Sequence, residues 1–362
     1  MSSAELSTTV STPEPGSRFL DEIHEQPEAL LRLLEGEAEI ARIAAEIHAR
    51  DATTIRMVGH GSSDNAASYG VYAFGLLPRW TALRDSISLS VYYGAELDMS
   101  GCTALALSQS GRTPDVVEYA RHAKRRGAYT VAITNDGSSE LAQEADAVIE
   151  LRAGHEHAVA ATKTYSNQVA ALGLLAAHAA GEGEVFAAGI RAVAAETMPQ
   201  LIRSVETRIA SVAIPFAYAG RMFVVGRGAE FATAREIALK LLETCRIAAE
   251  PLTATDLAHG PVAALDSLFP VWAIASGDAT LPAVVEAVER AREAGATIIA
   301  SGDAAGSILG ADYVLESPPT TSPLLSPLLS IVPGQLFAWA LARARGLDPD
   351  APRGLSKVTL AR

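Results

Sequence analysis

Residues Ser108-Gln109-Ser110-Gly111-Arg112-Thr113 place three hydroxyls and an amide within six positions, between an apolar run ending at Leu107 and a helical pattern beginning at Val116. A strand-to-helix loop of this composition suits an anion. The helix N-terminus offers unpaired N–H groups and a partial positive charge, and the side chains add further donors. Capping the helix needs only one hydroxyl, so the surplus points to a bound phosphate. A second loop, Gly59-His60-Gly61-Ser62-Ser63-Asp64-Asn65, follows an earlier apolar run. Its glycines let a ligand approach the backbone, although Asp64 stands where a dinucleotide fingerprint would have its third glycine. Lys240 and Glu243 lie three apart on a helical pattern and share one face. Their neighbours Ile237-Ala238-Leu239 and Leu241-Leu242 are apolar, so the pair is expected to be largely buried, where a charge pair is costly unless it is used. His259, beside Gly260-Pro261, and Lys357, in a basic tail, are further groups able to hold a proton. By themselves they are indistinguishable from an exposed histidine and a solvated lysine.

The elements that must position these groups occur twice. Val116-Val117-Glu118 corresponds to Val284-Val285-Glu286 and Gly127 to Gly295, an offset of 168, while Gly59 corresponds to Gly226 at an offset of 167. Two motifs with nearly the same spacing indicate a duplicated domain, the period being far too long for a solenoid. In the second copy Gln109, Ser110 and Thr113 become Gly277, Asp278 and Leu281. An aspartate repels a phosphate, so the anion site is expected in the first domain only.

Around these loops, strands and helices alternate, which implies an α/β fold with parallel sheets covered on both faces. Two short helices broken at Pro27 are expected over Phe19–Leu34, and another over Ala38–Arg50. Strands are expected at Thr54–Val58, Ile87–Val91, Ala104–Leu107, Thr130–Thr134 and Ala147–Leu151, with helices from about Asp64, over Asp115–Arg126 and over Thr164–Ala180. The second half repeats the pattern, with strands at Met222–Val225, Val271–Ser276, Thr297–Ala300 and Tyr313–Leu315, and helices at Thr233–Cys245 and Pro282–Glu293. A last helix covers about Leu328–Arg345. The expected organisation is a disordered tail over 1–17, one domain with its N-terminal helices over 18–195, a second over 196–345, and a C-terminal tail over 346–362.

The 362-residue length and 49% hydrophobic content are ample for two cores. The formal charge of −13 argues against a nucleic-acid or anionic-membrane surface. Cys102 and Cys245 lack metal-type spacing and are expected to be buried thiols in a reducing compartment. The Ala-rich stretch near Val169–Ala180 is too short to span a bilayer, and no signal-peptide pattern opens the chain. A cytoplasmic location is therefore expected.

Taken in order, these motifs resemble the sugar isomerase (SIS) family, and most closely the tandem isomerase half of glucosamine-6-phosphate synthase and its stand-alone relatives. Glu22–Pro27 (EIHEQP) is similar to the family's entry helix. Ser108–Thr113 is similar to its sugar-phosphate loop, Val159-Ala160-Ala161-Thr162-Lys163 to the loop that closes over the sugar, and Lys240–Glu243 to the helix bearing the enolisation glutamate. The resemblance implies two tandem three-layer αβα domains, each with a mainly parallel, flavodoxin-like sheet. It implies that Ser62, Ser63, Ser108, Gln109, Ser110, Thr113, Val159 and Ala160 bind the sugar phosphate. It further implies that Glu243 moves a proton between C2 and C1, that Lys240 supports it, and that Lys357 contacts the open-chain sugar or forms a Schiff base. His259 is implied to open the ring from a neighbouring subunit of at least a homodimer. No metal or organic cofactor is implied.

The resemblance is incomplete where the reaction is decided. The isomerase half begins almost at once after Met1-Ser2-Ser3, so ammonia from glutamine is not expected to be made on this chain. The synthase's Cys-Gly-Thr-Ser turn is His60-Gly61-Ser62-Ser63 here, and its Asn-Leu-Ala-Lys tail is Gly354-Leu355-Ser356-Lys357. These forms resemble the stand-alone aminosugar-phosphate deaminases. The expected reaction is glucosamine 6-phosphate plus water giving fructose 6-phosphate plus ammonia. Alternatives are a fructosamine-6-phosphate deglycase, a galactosamine-6-phosphate deaminase, or a sugar-phosphate sensor without catalysis.

Overall fold

The computed structural model describes residues 14–357. Helices α1 (Ser17–His24), α2 (Gln26–Leu34) and α3 (Glu37–Ala49) lead into β1 (Thr54–Val58), α4 (Ser62–Leu76), β2 (Ala82–Arg84), α5 (Ile87–Val91), β3 (Cys102–Leu107), α6 (Pro114–Arg125), β4 (Tyr129–Thr134), α7 (Glu140–Glu144), β5 (Ala147–Glu150) and α8 (Lys163–Ala179). Two connecting helices follow, α9 (Gly183–Ala192) and α10 (Met198–Ala213). The second unit comprises β6 (Arg221–Gly226), α11 (Glu230–Cys245), β7 (Ala248–Thr253), α12 (Ala254–Ala258), β8 (Val271–Ile274), α13 (Leu281–Glu293), β9 (Ile298–Gly302), β10 (Tyr313–Glu316) and α14 (Ser326–Ala344).

The duplication read from the sequence is a duplication of topology. The first sheet runs β2-β1-β3-β4-β5 and the second β7-β6-β8-β9-β10, with every pairing parallel. In this strand order the chain reverses its winding between the first and third strands of each unit, and the crevice at their carboxyl ends is where such sheets bind ligands. The two hydroxyl-rich loops of the first unit follow β1 and β3, and so flank that crevice.

Apolar packing explains why both faces are covered. Strands β3 and β4 are buried along their whole length, as strands inside a parallel sheet must be. Leu105 and Leu107 point into a large core shared by the two units, which also takes in α3, α4, α8, α10, α11 and α14. Ala104 and Ala106, on the opposite face of β3, pack under Val116, Tyr119 and Ala120 of α6. On the outer face of the second sheet Val271 and Ala273 meet Val284 and Val288 of α13. The seam between the units is polar where it nears the crevice. Arg235 of α11 reaches Asp64 Oδ2 at 2.7 Å and Ser68 Oγ at 2.7 Å on α4.

Several expectations are corrected. Ile87–Val91 is a helix rather than a strand, burying Ile87 and Ser90 on one side. The break between α1 and α2 falls at Glu25, and Pro27 sits in the first turn of α2, where its missing N–H is harmless. Of the tail expected to be disordered, residues 1–13 lie outside the described residues. Gly16 and Ser17 are fixed, with the Gly16 amide donating to Asp348 and Asp350 and Ser17 opening α1. Residues 358–362 of the C-terminal tail also lie outside the described residues. Both cysteines are free and buried. No helix among the described residues is long and apolar enough to cross a membrane.

Candidate functional site

The crevice of the first sheet holds a cavity of about 490 Å³. His60, Gly61, Ser62 and Ser63 line it from the β1–α4 loop, and Ser108, Gln109, Ser110, Thr113 and Asp115 from the β3–α6 loop. The wall is completed by Glu156, Val159 and Ala161 from the segment before α8, and by Lys357 from the tail. Seven of the eight residues expected to bind the sugar phosphate therefore face one space. The eighth, Ala160, is fully buried, and Ala161 takes its place on the wall.

The β3–α6 loop is shaped from within. Gly111 has φ +62°, and a Cβ there would lie 2.0 Å from Ser139 Oγ, so the tight turn requires glycine. Ser108 Oγ accepts from the Gly111 amide at 3.1 Å and lies 3.1 Å from Thr113 Oγ1. Thr113 occupies the N-cap position of α6, yet its hydroxyl makes no capping bond. The hydroxyl at the N-cap of α6 is thus not engaged as a helix cap. The second unit deals with the equivalent place differently. Glu230, buried at the start of α11, receives hydrogen bonds from Ser276 Oγ at 3.0 Å, Ser330 Oγ at 2.6 Å and Thr233 Oγ1 at 2.6 Å. Ser276 is the counterpart of Ser108, so an internal carboxylate occupies the crevice of the second sheet. Burial raises the Glu230 pKa above the usual carboxylate range, partly offset by the hydroxyls around it.

On α11 the residues Glu236, Lys240 and Glu243 follow one face. Lys240 is fully buried; its Nζ lies 2.6 Å from Glu243 Oε2, 3.3 Å from Glu236 Oε1 and 3.4 Å from Ser62 Oγ. Burial alone would lower its pKa, but the two carboxylates outweigh burial and hold the ammonium above its ordinary range. Glu236, fully buried, also accepts from Ser62 Oγ and Asn65 Nδ2, each at 2.8 Å. Burial raises its pKa more than Lys240 and the Asn65 hydrogen bond lower it. Glu243 itself faces a neighbouring hollow lined by Leu239, Leu242 and the tail segment from Gly346 to Leu355. It is joined to the first cavity through Lys240 and Ser62.

Lys357 is docked by the segment between β5 and α8. Its Nζ donates to Glu156 Oε2 at 2.6 Å and to the Ala158 carbonyl at 2.7 Å. Glu156 is buried, which would raise its pKa, but Lys357 overrides burial, and the Thr162 amide and Thr164 hydroxyl add to the lowering. Glu22 of α1 accepts from the amides of His157 and Ala158 and so fixes this segment from behind. Lys163 is buried away from the cavity, bound to Glu25 and to the His155 carbonyl. His259 follows α12, is exposed, and does not line the cavity within this chain.

Four residues of the site escaped the sequence reading. Glu236 was recoverable, since positions 236, 240 and 243 share a helical face. His60 and Asp115 stand 55 positions apart, and nothing in either loop marks them as a pair. Glu156 lies in irregular chain with no periodicity to mark it.

Comparison with known proteins gives the family and the fold. The family model described as SIS domain matches residues 48–178 and 216–344. The chain is 36% identical over 361 residues to glutamine–fructose-6-phosphate aminotransferase (isomerizing) of Mycolicibacterium smegmatis, covering 94% of this chain and 56% of that protein. The chain thus spans little more than half the length of that relative. A solved structure from Silicibacter pomeroyi is 36% identical, with a TM-score of 0.84 over 92% of this chain and 99% of that one. The C-terminal domain of glucosamine-fructose-6-phosphate aminotransferase from Francisella tularensis is 26% identical, with a TM-score of 0.86 over 94% of this chain and 100% of that one.

Proposed function

The chain belongs to the SIS domain family, and on that premise we propose that it is an enzyme of aminosugar phosphates, releasing ammonia from glucosamine 6-phosphate to give fructose 6-phosphate. The observation that carries this reading is the single cavity in which a phosphate-type loop, Ser108 to Thr113, faces the tail lysine Lys357, with the Lys240–Glu243 pair directly behind Ser62.

In this reading the unpaired N–H groups of α6 and the hydroxyls of Ser108, Ser110 and Thr113, with Gln109, hold the 6-phosphate. Ser62 and Ser63 contact the sugar. His259 of a neighbouring subunit assists ring opening. The C1–C2 end of the open-chain aminoaldose extends past Ser62 to Glu243, which faces the adjoining hollow; Glu243 takes the proton from C2 and returns it to C1 while an amine N–H proton passes to O1, so that C1 becomes the alcohol carbon and C2 a ketimine. Lys240 keeps the glutamate in place and offsets charge on the developing enolamine. Water adds to the C2 imine, the C–N bond breaks, and ammonia leaves with fructose 6-phosphate remaining. Lys357 contacts the ketose oxygen, or its amine condenses with the C2 carbonyl to a Schiff base with loss of water, which hydrolysis reverses.

A second reading, a fructosamine-6-phosphate deglycase, is favoured by one feature. A contiguous hollow beyond Lys357, lined by Arg112, Asn135, His155 and His157, offers space for a substituent on the amine. Ammonia or amine release from glucosamine 6-phosphate, galactosamine 6-phosphate and fructosamine 6-phosphate separates the readings. In the same assay Glu243→Gln is expected to lose at least a hundredfold in turnover. Undiminished release by that variant refutes the proton-transfer role, and no release from any of the three by the parent protein refutes the enzyme.

A further inference from the structure

The cavity that faces the phosphate loop contains a histidine–aspartate pair that none of the roles above uses. His60 Nε2 lies 2.8 Å from Asp115 Oδ2. The imidazole is half-exposed towards the cavity while the carboxylate is about nine-tenths buried. The other oxygen, Asp115 Oδ1, is buried without a hydrogen-bond partner. With Nε2 turned to Asp115, Nδ1 is the ring atom left free to meet a ligand.

Charge balance in the wall says what that ligand contact must be. Four lining residues can carry charge: Asp115, Glu156, Lys357 and His60. Lys357 is spent on Glu156 at 2.6 Å. The Ser108–Thr113 donors are all neutral apart from Arg112, which is paired with Asp136 at 3.2 Å and exposed outside this cavity. Asp115 stands in the first turn of α6, and apart from the partial positive charge of that helix terminus the imidazole is the cavity group that can offset it. A phosphate dianion entering beside a carboxylate with an unsatisfied oxygen meets repulsion that neutral donors cannot remove. Protonation of His60 relieves it at both ends. Nε2–H neutralises Asp115, and Nδ1–H becomes a charge-assisted donor to a phosphate oxygen. The other charged groups nearby have partners of their own: Lys240 lies between Glu236 and Glu243 on α11, and Asp64 between Arg84 and Arg235 at the seam.

We propose that His60, held by Asp115, is the cationic ligand of the bound phosphate, so that binding a sugar phosphate draws one proton into the site. The inference rests on the Ser108–Thr113 loop being a phosphate cradle, and is independent of the deamination chemistry.

Isothermal titration with fructose 6-phosphate and with inorganic phosphate, between pH 7 and 8.5 in two buffers of different ionisation enthalpy, counts the protons taken up. The ligand's own second ionisation, near pH 6 for a phosphate ester, contributes equally to parent and variant and cancels in their difference. The parent protein is expected to take up close to one more proton than His60→Asn, and to lose affinity by up to tenfold per pH unit where the variant is flat. At pH 7 the variant is expected to bind about tenfold more weakly, and Asp115→Asn to lose most of the pH dependence. Thermal melts of both variants check that they are folded. Equal affinity and equal proton uptake in parent and His60→Asn overturn the proposal, as does failure of both ligands to bind. Proton-linked binding of phosphate without binding of fructose 6-phosphate upholds it while removing the sugar-phosphate reading of the site.

Discussion

Glu22 offers a quantitative test of how the tail is held at the cavity. Its carboxylate is buried under the 156–158 segment, accepting from the His157 amide and from the Ala158 amide at 3.2 Å. Burial and the nearby Glu156 push its pKa from 4.5 up to about 7, against the opposing pull of the His157 amide, Lys163 and Lys357. In the unfolded chain this carboxyl ionises near 4.5, and in the folded chain near 7. The folded state therefore binds the extra proton between those values. The stability this provides is complete below about pH 4.5 and is lost as pH rises through 7. A displacement of this size corresponds to about 3 kcal/mol at most. Relaxation of the protein around a buried charge brings the expected effect nearer about 1–2 kcal/mol. Glu22→Gln removes the titration. Urea denaturation at pH 5 and pH 8 should show the parent losing this increment relative to the variant, so that the variant's relative stability improves at the higher pH. The same segment supplies both acceptors of Lys357, so turnover should also shift its pH profile in the variant. Parallel stability curves for the two proteins across this range would mean that the proton on Glu22 does not couple to the fold, and the reasoning fails.

Two further outcomes follow from the loop geometry. Thr113→Val keeps the volume of the side chain and removes a hydroxyl free of any capping bond; it should raise KM for a sugar phosphate about tenfold while kcat stays within about twofold, and a fall in kcat at unchanged KM contradicts the anchoring role. Gly111→Ala forces a Cβ against Ser139 at φ +62° and should cost at least about 2 kcal/mol in denaturation together with most of the affinity for inorganic phosphate; a variant that binds and melts like the parent refutes the fixed shape of the loop.

How much was legible in the sequence depended on which physical signal an element carries. Parallel strands buried on both faces announce themselves as apolar runs, and so Cys102–Leu107 and Tyr129–Thr134 were found to within a residue or two. The edges were not. Ala82–Arg84 is three residues long, too short for any period. Ala248–Thr253 contains Pro251, which argues against a strand, but β7 is the outermost strand of its sheet, the one place where a missing donor is tolerated. Ile87-Ser88-Leu89-Ser90-Val91 alternates like a strand and folds as a helix, since tertiary packing of Ile87 overrides a period read over only five residues. At the site, the duplication singled out the hydroxyl-rich loop Ser108–Thr113 and its altered counterpart at Ser276–Leu281 without any structure. The pairings of Glu156 with Lys357 and of His60 with Asp115 join residues 201 and 55 positions apart, and no local pattern encodes them.

Glu230, seated among Ser276, Ser330 and Thr233, has a consequence for stoichiometry. A chain with two folded copies of one sheet could saturate at two equivalents of ligand, with each copy sensing the other through the shared core. Here the second crevice is already filled by a carboxyl side chain of the polypeptide itself, hydrogen-bonded to Ser276, Ser330 and Thr233, at a fixed effective concentration that no free phosphate can rival. Titration should therefore end at one equivalent per chain. In the proposed reading the second unit is left as scaffold, lending α11 to the site of the first.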